Sequence, residues 1–376
     1  MSDFASLLSS FKQNASSAAS AAAPKTTSNT QSRKRPLPTN TSSALSSVNH
    51  SHSIPHFPSL HHGTRKETDF RLDFLGIGSQ KAGTTWLHKL LQKCHLISLP
   101  QKQKEVHFWD WHHRKGIEWY IQQFRYSPQN SSSYYGEITP CYVVLPEQTI
   151  AEISKCFPNL KIIFIARDLV DRAWSAMIME LRDQTMGLNA GEFADGVVGS
   201  DDKNAIKRAK LSASQQRRLQ QQSSPSSQPD SYFMDRLRNT THDSRSNYAK
   251  HLSNWYKHFP SASILLVDYR DIETDPRSVL MKVVMHIGVE EEKAKQFVDS
   301  LQDDEVHQRV NAATAAVSDT NASASSASSS HHLLTQRPLL KKQMEIYLQP
   351  YATEFNTLLQ TKGYEWRLDE YNNENA

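Results

Sequence analysis

The chain has 376 residues, a formal net charge of +4 from 43 basic and 39 acidic residues, and 38% hydrophobic residues. That length exceeds one average domain, and the mild charge, much of it in Arg33-Lys34-Arg35 and Arg65-Lys66, gives no reason to expect a nucleic-acid partner. Three widely spaced cysteines (Cys94, Cys141, Cys156) exclude a disulfide framework or a cysteine zinc site, and no apolar run approaches the roughly 20 residues of a membrane helix.

Residues 1–66 are rich in Ser, Ala, Thr, Asn and Pro and carry no acidic residue between Asp3 and Glu67. Such a segment cannot bury enough apolar surface to offset its ordering entropy, so a disordered tail is expected. Its five histidines, His50 to His62, lack ligand spacing with cysteines or carboxylates, so no metal is expected. Residues 67–370 are expected to form one catalytic domain.

That domain opens with an apolar strand, Phe74-Leu75-Gly76-Ile77-Gly78. A turn follows, Ser79-Gln80-Lys81-Ala82-Gly83, and then a helix beginning near Thr84-Thr85-Trp86-Leu87. Glycines admit backbone conformations and close approaches that a Cβ blocks. The N–H groups and positive dipole end of the helix then face an anion, which makes a phosphate cradle of Gln80–Trp86. The spacing is near a Walker A loop, but Thr84 stands where the lysine belongs and Lys81 lies in mid-turn. A nucleotide with one 5′ phosphate carrying a transferable group suits this arrangement.

Further along comes Lys104-Glu105-Val106-His107-Phe108-Trp109-Asp110, and then Gly136-Glu137-Ile138-Thr139-Pro140-Cys141-Tyr142. By residue type alone, Glu105 is equally explained by a surface ion pair with Lys102 or Lys104, and His107 by a histidine packed on the sheet. Leu160–Ala166 has no polar alternation and reads as a strand buried on both faces of a parallel sheet. Arg167 follows it, at the carboxyl end where open α/β sheets bind ligands, and Ser175 lies on the next helix. An arginine fork plus a hydroxyl suits a dianionic phosphate, although by residue type alone a surface ion pair of Arg167 with Asp168 or Asp171 explains it better. A polar insertion is read at about 183–245 and an Ala/Ser-rich loop at about 312–332. Between them lie a helix from Tyr248, a buried strand Ile264–Asp268 and a helix Pro276–Ile287. A final helix spans Leu339 to Gly363, with Trp366 packing after it.

The turn at Lys81, the Arg167–Ser175 segment and the Lys104–Asp110 segment together resemble the sulfotransferases that use 3′-phosphoadenosine 5′-phosphosulfate (PAPS). The Lys104–Asp110 segment is similar to K-E-P-H-F-F of the Golgi-type carbohydrate sulfotransferases, especially the heparan sulfate group, with Val106 for the proline. Arg167 to Ser175 is similar to R-D-P-x-x-R-x-x-S, with Leu169 for the proline, and residues 136–142 to E-K-T/S-P-x-Y, with Ile138 for lysine. The likeness runs from about Phe70 to Trp366. It implies an α/β, P-loop NTPase-like three-layer fold around a central parallel sheet.

It also implies roles. The backbone of Gln80, Lys81, Ala82, Gly83, Thr84, Thr85 and Trp86 would hold the 5′-phosphate. Lys81 would neutralise charge on the bridging oxygen. Arg167 and Ser175 would clamp the 3′-phosphate, and Glu105 would act as base, with His107 the competing base. Burial among Phe108, Trp109 and Trp111 is expected to raise the Glu105 pKa. The family closes on its nucleotide with a basic, glycine-containing loop before the last helix. Here Arg309, or Arg337 beyond the Ala/Ser tract, stands in its place.

The expected activity is transfer of a sulfuryl group from PAPS, without a metal, to a hydroxyl of a carbohydrate or of a small alcohol, sterol or phenol. Two alternatives stand. A P-loop kinase or NTPase would need lysine at position 84 and an acidic Mg²⁺ ligand, and a non-catalytic nucleotide-binding protein would keep the fold without turnover. The absence of an apolar anchor in the sequence favours the cytoplasm, with organelle import through the tail, or the Golgi, left open.

Overall fold

The computed structural model describes residues 70–124, 133–185, 225–308 and 333–371. All lie within one unit, Asp69–Ala376. The expected tail, Arg309 and the Ala/Ser-rich loop fall outside the described residues.

Strand β1 (Phe74–Gly78) leads into helix α1 (Thr84–Leu91), a short strand β2 (Ile97–Ser98), helix α2 (Ile117–Ile121) and strand β3 (Tyr134–Ile138). Helix α3 (Glu147–Cys156) crosses to β4 (Lys161–Ala166), which feeds the long helix α4 (Leu169–Thr185). Helices α5 (Asp230–Arg238), α6 (Thr240–Ser246) and α7 (Tyr248–His258) precede β5 (Ile264–Asp268). After it come α8 (Tyr269–Thr274), α9 (Pro276–Ile287), α10 (Glu291–Ser300), α11 (Asp303–His307) and α12 (Pro338–Thr361).

The five strands form a parallel sheet in the order β2-β3-β1-β4-β5. Every residue of β1 is buried, as are the last five of β4, which is why these strands show no polar alternation. Leu75, Ile77, Ile162 and Phe164 point into one core with α4, α7 and α12. Phe74, Ile163 and Ile165 point into a second core with α1, α9 and α10. The expected three layers follow directly. Gly136 lets β3 approach β1, since a Cβ there would sit 2.3 Å from the Phe74 ring.

From β1 the chain leaves toward β2 on one side of the sheet, and from β4 it leaves toward β5 on the other. The carboxyl ends of these neighbours are therefore the switch point at which open α/β sheets form a binding crevice.

The stretch expected as a polar insertion at 183–245 is folded over its last part. Phe233, Met234 and Leu237 of α5 share one helical face and are buried, with Phe233 4.8 Å from Trp174 of α4. Three apolar residues at helical spacing decide this against the polar average of the segment. Among the described residues no helix is long and apolar enough to cross a membrane.

Candidate active site

The turn after β1 is shaped by its neighbours. Ser79 donates from both its N–H and its Oγ to the Ile165 carbonyl of β4, at 2.9 and 3.0 Å. Tyr248 Oη donates to Ser79 Oγ at 3.0 Å. Arg167 Nη1 donates to the Lys81 carbonyl at 2.8 Å, and its guanidinium lies over the Tyr269 ring, 4.8 Å from the centroid. Lys81 itself has φ 71°, in the left-handed region that a Cβ disfavours. A non-glycine residue held there by its surroundings is a mark of functional strain.

Gly83 ends the turn at φ 81°, and no side chain caps α1 behind it. The first N–H groups of α1 thus keep their capacity to bind an anion, aided by the helix dipole. Beside Arg167 opens a cavity of about 480 Å³, lined also by Asp268, Tyr269 and the Leu368–Tyr371 segment. Arg167 Nε meets no partner among the described residues.

A second group of side chains stands next to the turn. Lys104 Nζ lies 2.8 Å from Glu105 Oε1 and 3.4 Å from Thr84 Oγ1, so one ammonium joins the carboxylate to the start of α1. His107 Nε2 is 3.4 Å from Glu105 Oε2, and its Nδ1 is 2.8 Å from Asp110 Oδ2. The imidazole stacks on Trp111 with 3.7 Å between centroids. His107 also has a positive φ, 52°, and opens a π-helical turn closed by the His112 N–H on the His107 carbonyl at 2.8 Å. Single π-turns of this kind concentrate at functional sites.

Burial disfavours the charged form of His107, but Asp110 and Glu105 outweigh it and raise the imidazole to about 9. Burial likewise disfavours the Glu105 carboxylate, yet His107 and Lys104 outweigh it and hold the carboxyl at about 2. The direction expected for Glu105 is therefore corrected. Of its aromatic neighbours Trp111 is 39% exposed, and two adjacent cations decide the balance. At neutral pH the pair is a carboxylate and an imidazolium.

Glu137 of β3 fixes this segment from below. It is fully buried and accepts from Tyr120 Oη and Thr139 Oγ1, each at 2.7 Å, from Tyr142 Oη at 3.0 Å and from the Val106 N–H at 3.3 Å. Tyr142 Oη accepts the Phe108 N–H at 2.8 Å. Burial, against these four donors, raises the Glu137 carboxyl to about 7.

The Sulfotransferase domain family matches residues 71–343, which contain both halves of this site. The chain belongs to that family. Over 104 residues the domain is 36% identical to the membrane-associated sulfotransferase kil1 of Dictyostelium discoideum, covering 27% of this chain and 22% of that protein. Over 225 residues it is 24% identical to the bifunctional heparan sulfate N-deacetylase/N-sulfotransferase 2 of Bos taurus, covering 57% of this chain and 22% of the relative. The chain thus matches about a fifth of the length of each of these relatives. Among solved structures it is similar to a sulfotransferase from Alicyclobacillus acidocaldarius, with 16% identity and TM-score 0.47 over 77% of this chain and 96% of the other. It is also similar to mouse sulfotransferase SULT7A1 complexed with PAP, with 16% identity and TM-score 0.32 over 65% and 70% of the two chains.

Within the sulfotransferase domain, Gln80, Lys81, Ala82, Gly83, Thr84 and Thr85 form the turn and the start of α1. Trp86 points away into the core and donates its indole N–H to the Val306 carbonyl at 2.7 Å. Ser175 is half-buried on α4 and does not line the cavity beside Arg167. Arg337 does not face the turn; it is bound to Asp230 at 2.6 Å and to the Pro225 carbonyl at 2.9 Å.

Sequence reasoning missed Arg245. On α6, it donates from Nη1 to Gln80 Oε1 at 2.8 Å and from Nη2 to Cys141 Sγ at 3.4 Å. The only signal lay in its place three residues before Tyr248, inside the stretch read as an insertion.

Proposed function

We propose that this sulfotransferase domain moves a sulfuryl group from PAPS to a hydroxyl, with the turn at Lys81 holding the donor and Glu105 taking the proton. The observation that carries this reading is the bridge from Glu105 through Lys104 to Thr84. It sets a carboxylate one ammonium away from the start of α1, which supports Glu105 as the group nearest an acceptor approaching an anion held there. In the step, the acceptor oxygen bonds to sulfur. The bond from sulfur to the bridging oxygen breaks with its electron pair left on the phosphate, and the acceptor proton passes to a Glu105 oxygen. Lys81 stabilises the charge that develops on the bridging oxygen.

The residues present fit an adenosine 3′,5′-bisphosphate group. The uncapped start of α1 suits its 5′-phosphate, and Arg167, which lines the cavity with its Nη1 on the Lys81 carbonyl and its Nη2 3.9 Å from Asp171, is the cation placed to meet the 3′-phosphate. Glu105 at about 2 is a weak base in the unliganded site. An anion beside Thr84 competes for Lys104, and withdrawal of that ammonium makes the carboxylate more basic once the donor is seated. His107, already protonated at neutral pH, orients Glu105 and contacts the acceptor rather than serving as base.

A carbohydrate is the favoured acceptor class, supported by the likeness to relatives named heparan sulfate N-deacetylase/N-sulfotransferase. Those names place the sulfated atom at nitrogen, so the choice of a hydroxyl rests on Glu105 as base and an amine is the competing acceptor.

The test is calorimetric titration with adenosine 3′,5′-bisphosphate against AMP and ATP·Mg²⁺. The expected result is binding that requires the 3′-phosphate and is lost in Arg167→Ala. Preference for ATP·Mg²⁺ overturns PAPS as the donor.

A further inference from the structure

We propose that Arg245 binds the non-bridging oxygens of the sulfuryl group and holds them while sulfur passes from donor to acceptor. This rests on the PAPS reading above and assigns one more group to that site.

Arg245 touches a side chain from each half of the site. Gln80, on one side, belongs to the cradle turn. Cys141, on the other, belongs to the base cluster, its Sγ lying within 4.8 Å of ligand atoms of His107 and Asp110. The guanidinium therefore spans the space between the Lys81 turn and the Glu105–His107 pair. Both present partners are neutral, an amide oxygen and a thiol that burial pushes up to about 11. Among the described residues no carboxylate forms an ion pair with Arg245. Exchange of two neutral acceptors for two anionic sulfonate oxygens is favourable for a guanidinium, and the planar fork matches such a pair.

The element that carries Arg245 is clamped before any ligand arrives. Arg172 of α4, only 1% exposed, donates from Nη2 to Ser246 Oγ at 2.8 Å, while its Nε and Nη1 meet no partner among the described residues. This bond ties α4 to the end of α6. Tyr347 and Tyr351 of α12 donate to Asp243 Oδ1 at 2.7 and 2.6 Å. Three side chains thus hold α6, and a donor held in place in advance stabilises a transition state without reorganising.

The chemistry separates two nucleotides. Adenosine 3′,5′-bisphosphate lacks the sulfuryl group, and PAPS has it. Calorimetry with each, without acceptor, on wild type, Arg245→Gln and Arg245→Lys reads the contact directly, with melting temperatures confirming the fold. The expected result for Arg245→Gln is bisphosphate affinity within about twofold of wild type, PAPS affinity lower by about tenfold and kcat lower by about a hundredfold, with Arg245→Lys between. Equal weakening of both nucleotides assigns Arg245 to support of the turn through Gln80 and overturns the proposal. So does a raised acceptor KM with an unchanged PAPS-to-bisphosphate ratio. Wild-type protein that binds neither nucleotide overturns the cofactor reading itself.

Discussion

Glu137 Oε2 accepts the backbone N–H of Val106 at 3.3 Å, a buried bond that fixes the residue standing between Glu105 and His107. The site is thus supported from inside the sheet rather than from its surface. Because Glu137 is fully buried with four donors, Glu137→Gln turns an acceptor into a donor against at least one of them. It is expected to cost about 1–3 kcal/mol in chemical denaturation from the unsatisfied pair, and to lower kcat.

Glu137 also predicts a pH dependence. Its carboxyl is raised from 4.5 to about 7 in the folded state. The unfolded chain therefore loses this proton first, and the group removes stability as pH climbs from 4.5 to about 7, after which the loss is constant. The size is on the order of 3 kcal/mol. Unfolding free energies of wild type minus Glu137→Gln, measured across that window, should show the slope; a flat difference contradicts the raised carboxyl.

Lys104 ties Glu105 to Thr84, and its removal should be felt on both. In Lys104→Met the Glu105 carboxyl titrates at higher pH than in wild type, because one of its two cations is gone. Carbon-13 NMR of the side-chain carboxyl reads this in the unliganded protein. The Km for the donor is expected to rise several-fold, as for loss of one charge-assisted bond.

On the proposed mechanism, in which the Lys81 charge meets the leaving phosphate, Lys81→Ala is expected to lower kcat by about a hundredfold or more while changing bisphosphate affinity much less. Single-turnover rates and calorimetry separate the two. An unaffected kcat contradicts the role.

Gly83→Ala forces a Cβ into φ 81° and to within 3.3 Å of Ile272. A stability loss of about 1–2 kcal/mol is expected from the backbone alone, with weaker nucleotide binding because the start of α1 shifts. Thermal melts with and without adenosine 3′,5′-bisphosphate distinguish the two effects.

Short-range patterns made much of the frame legible. The unbroken apolar runs of β1, β4 and β5 announced buried parallel strands, and the glycine-bracketed turn before Thr84 announced the cradle. Local residue order fixes those features, because strand burial and helix starts depend on neighbours in the chain. The two small helices α5 and α6 were hidden by the polar average around them. The charge state of Glu105 is not legible locally: the ion pair with Lys104 is one of the two sequence alternatives and is present, but only the fold shows that His107 adds a second cation and that the pair outweighs burial.

The sequence by itself thus determined the strand–turn–helix cradle, the parallel sheet and the residue types able to bind phosphate and move a proton. Only the tertiary structure decided which cations face that cradle. Lys104, adjacent to Glu105 in the chain, also reaches Thr84, while Arg245 comes from 165 residues beyond Gln80 to touch it. It also showed Glu137 beneath the Glu105–His107 segment and Trp86 turned into the core. Electrostatic balance and hydrogen-bond satisfaction are sums over everything that packs around a group, and those neighbours meet only when distant segments fold onto one sheet.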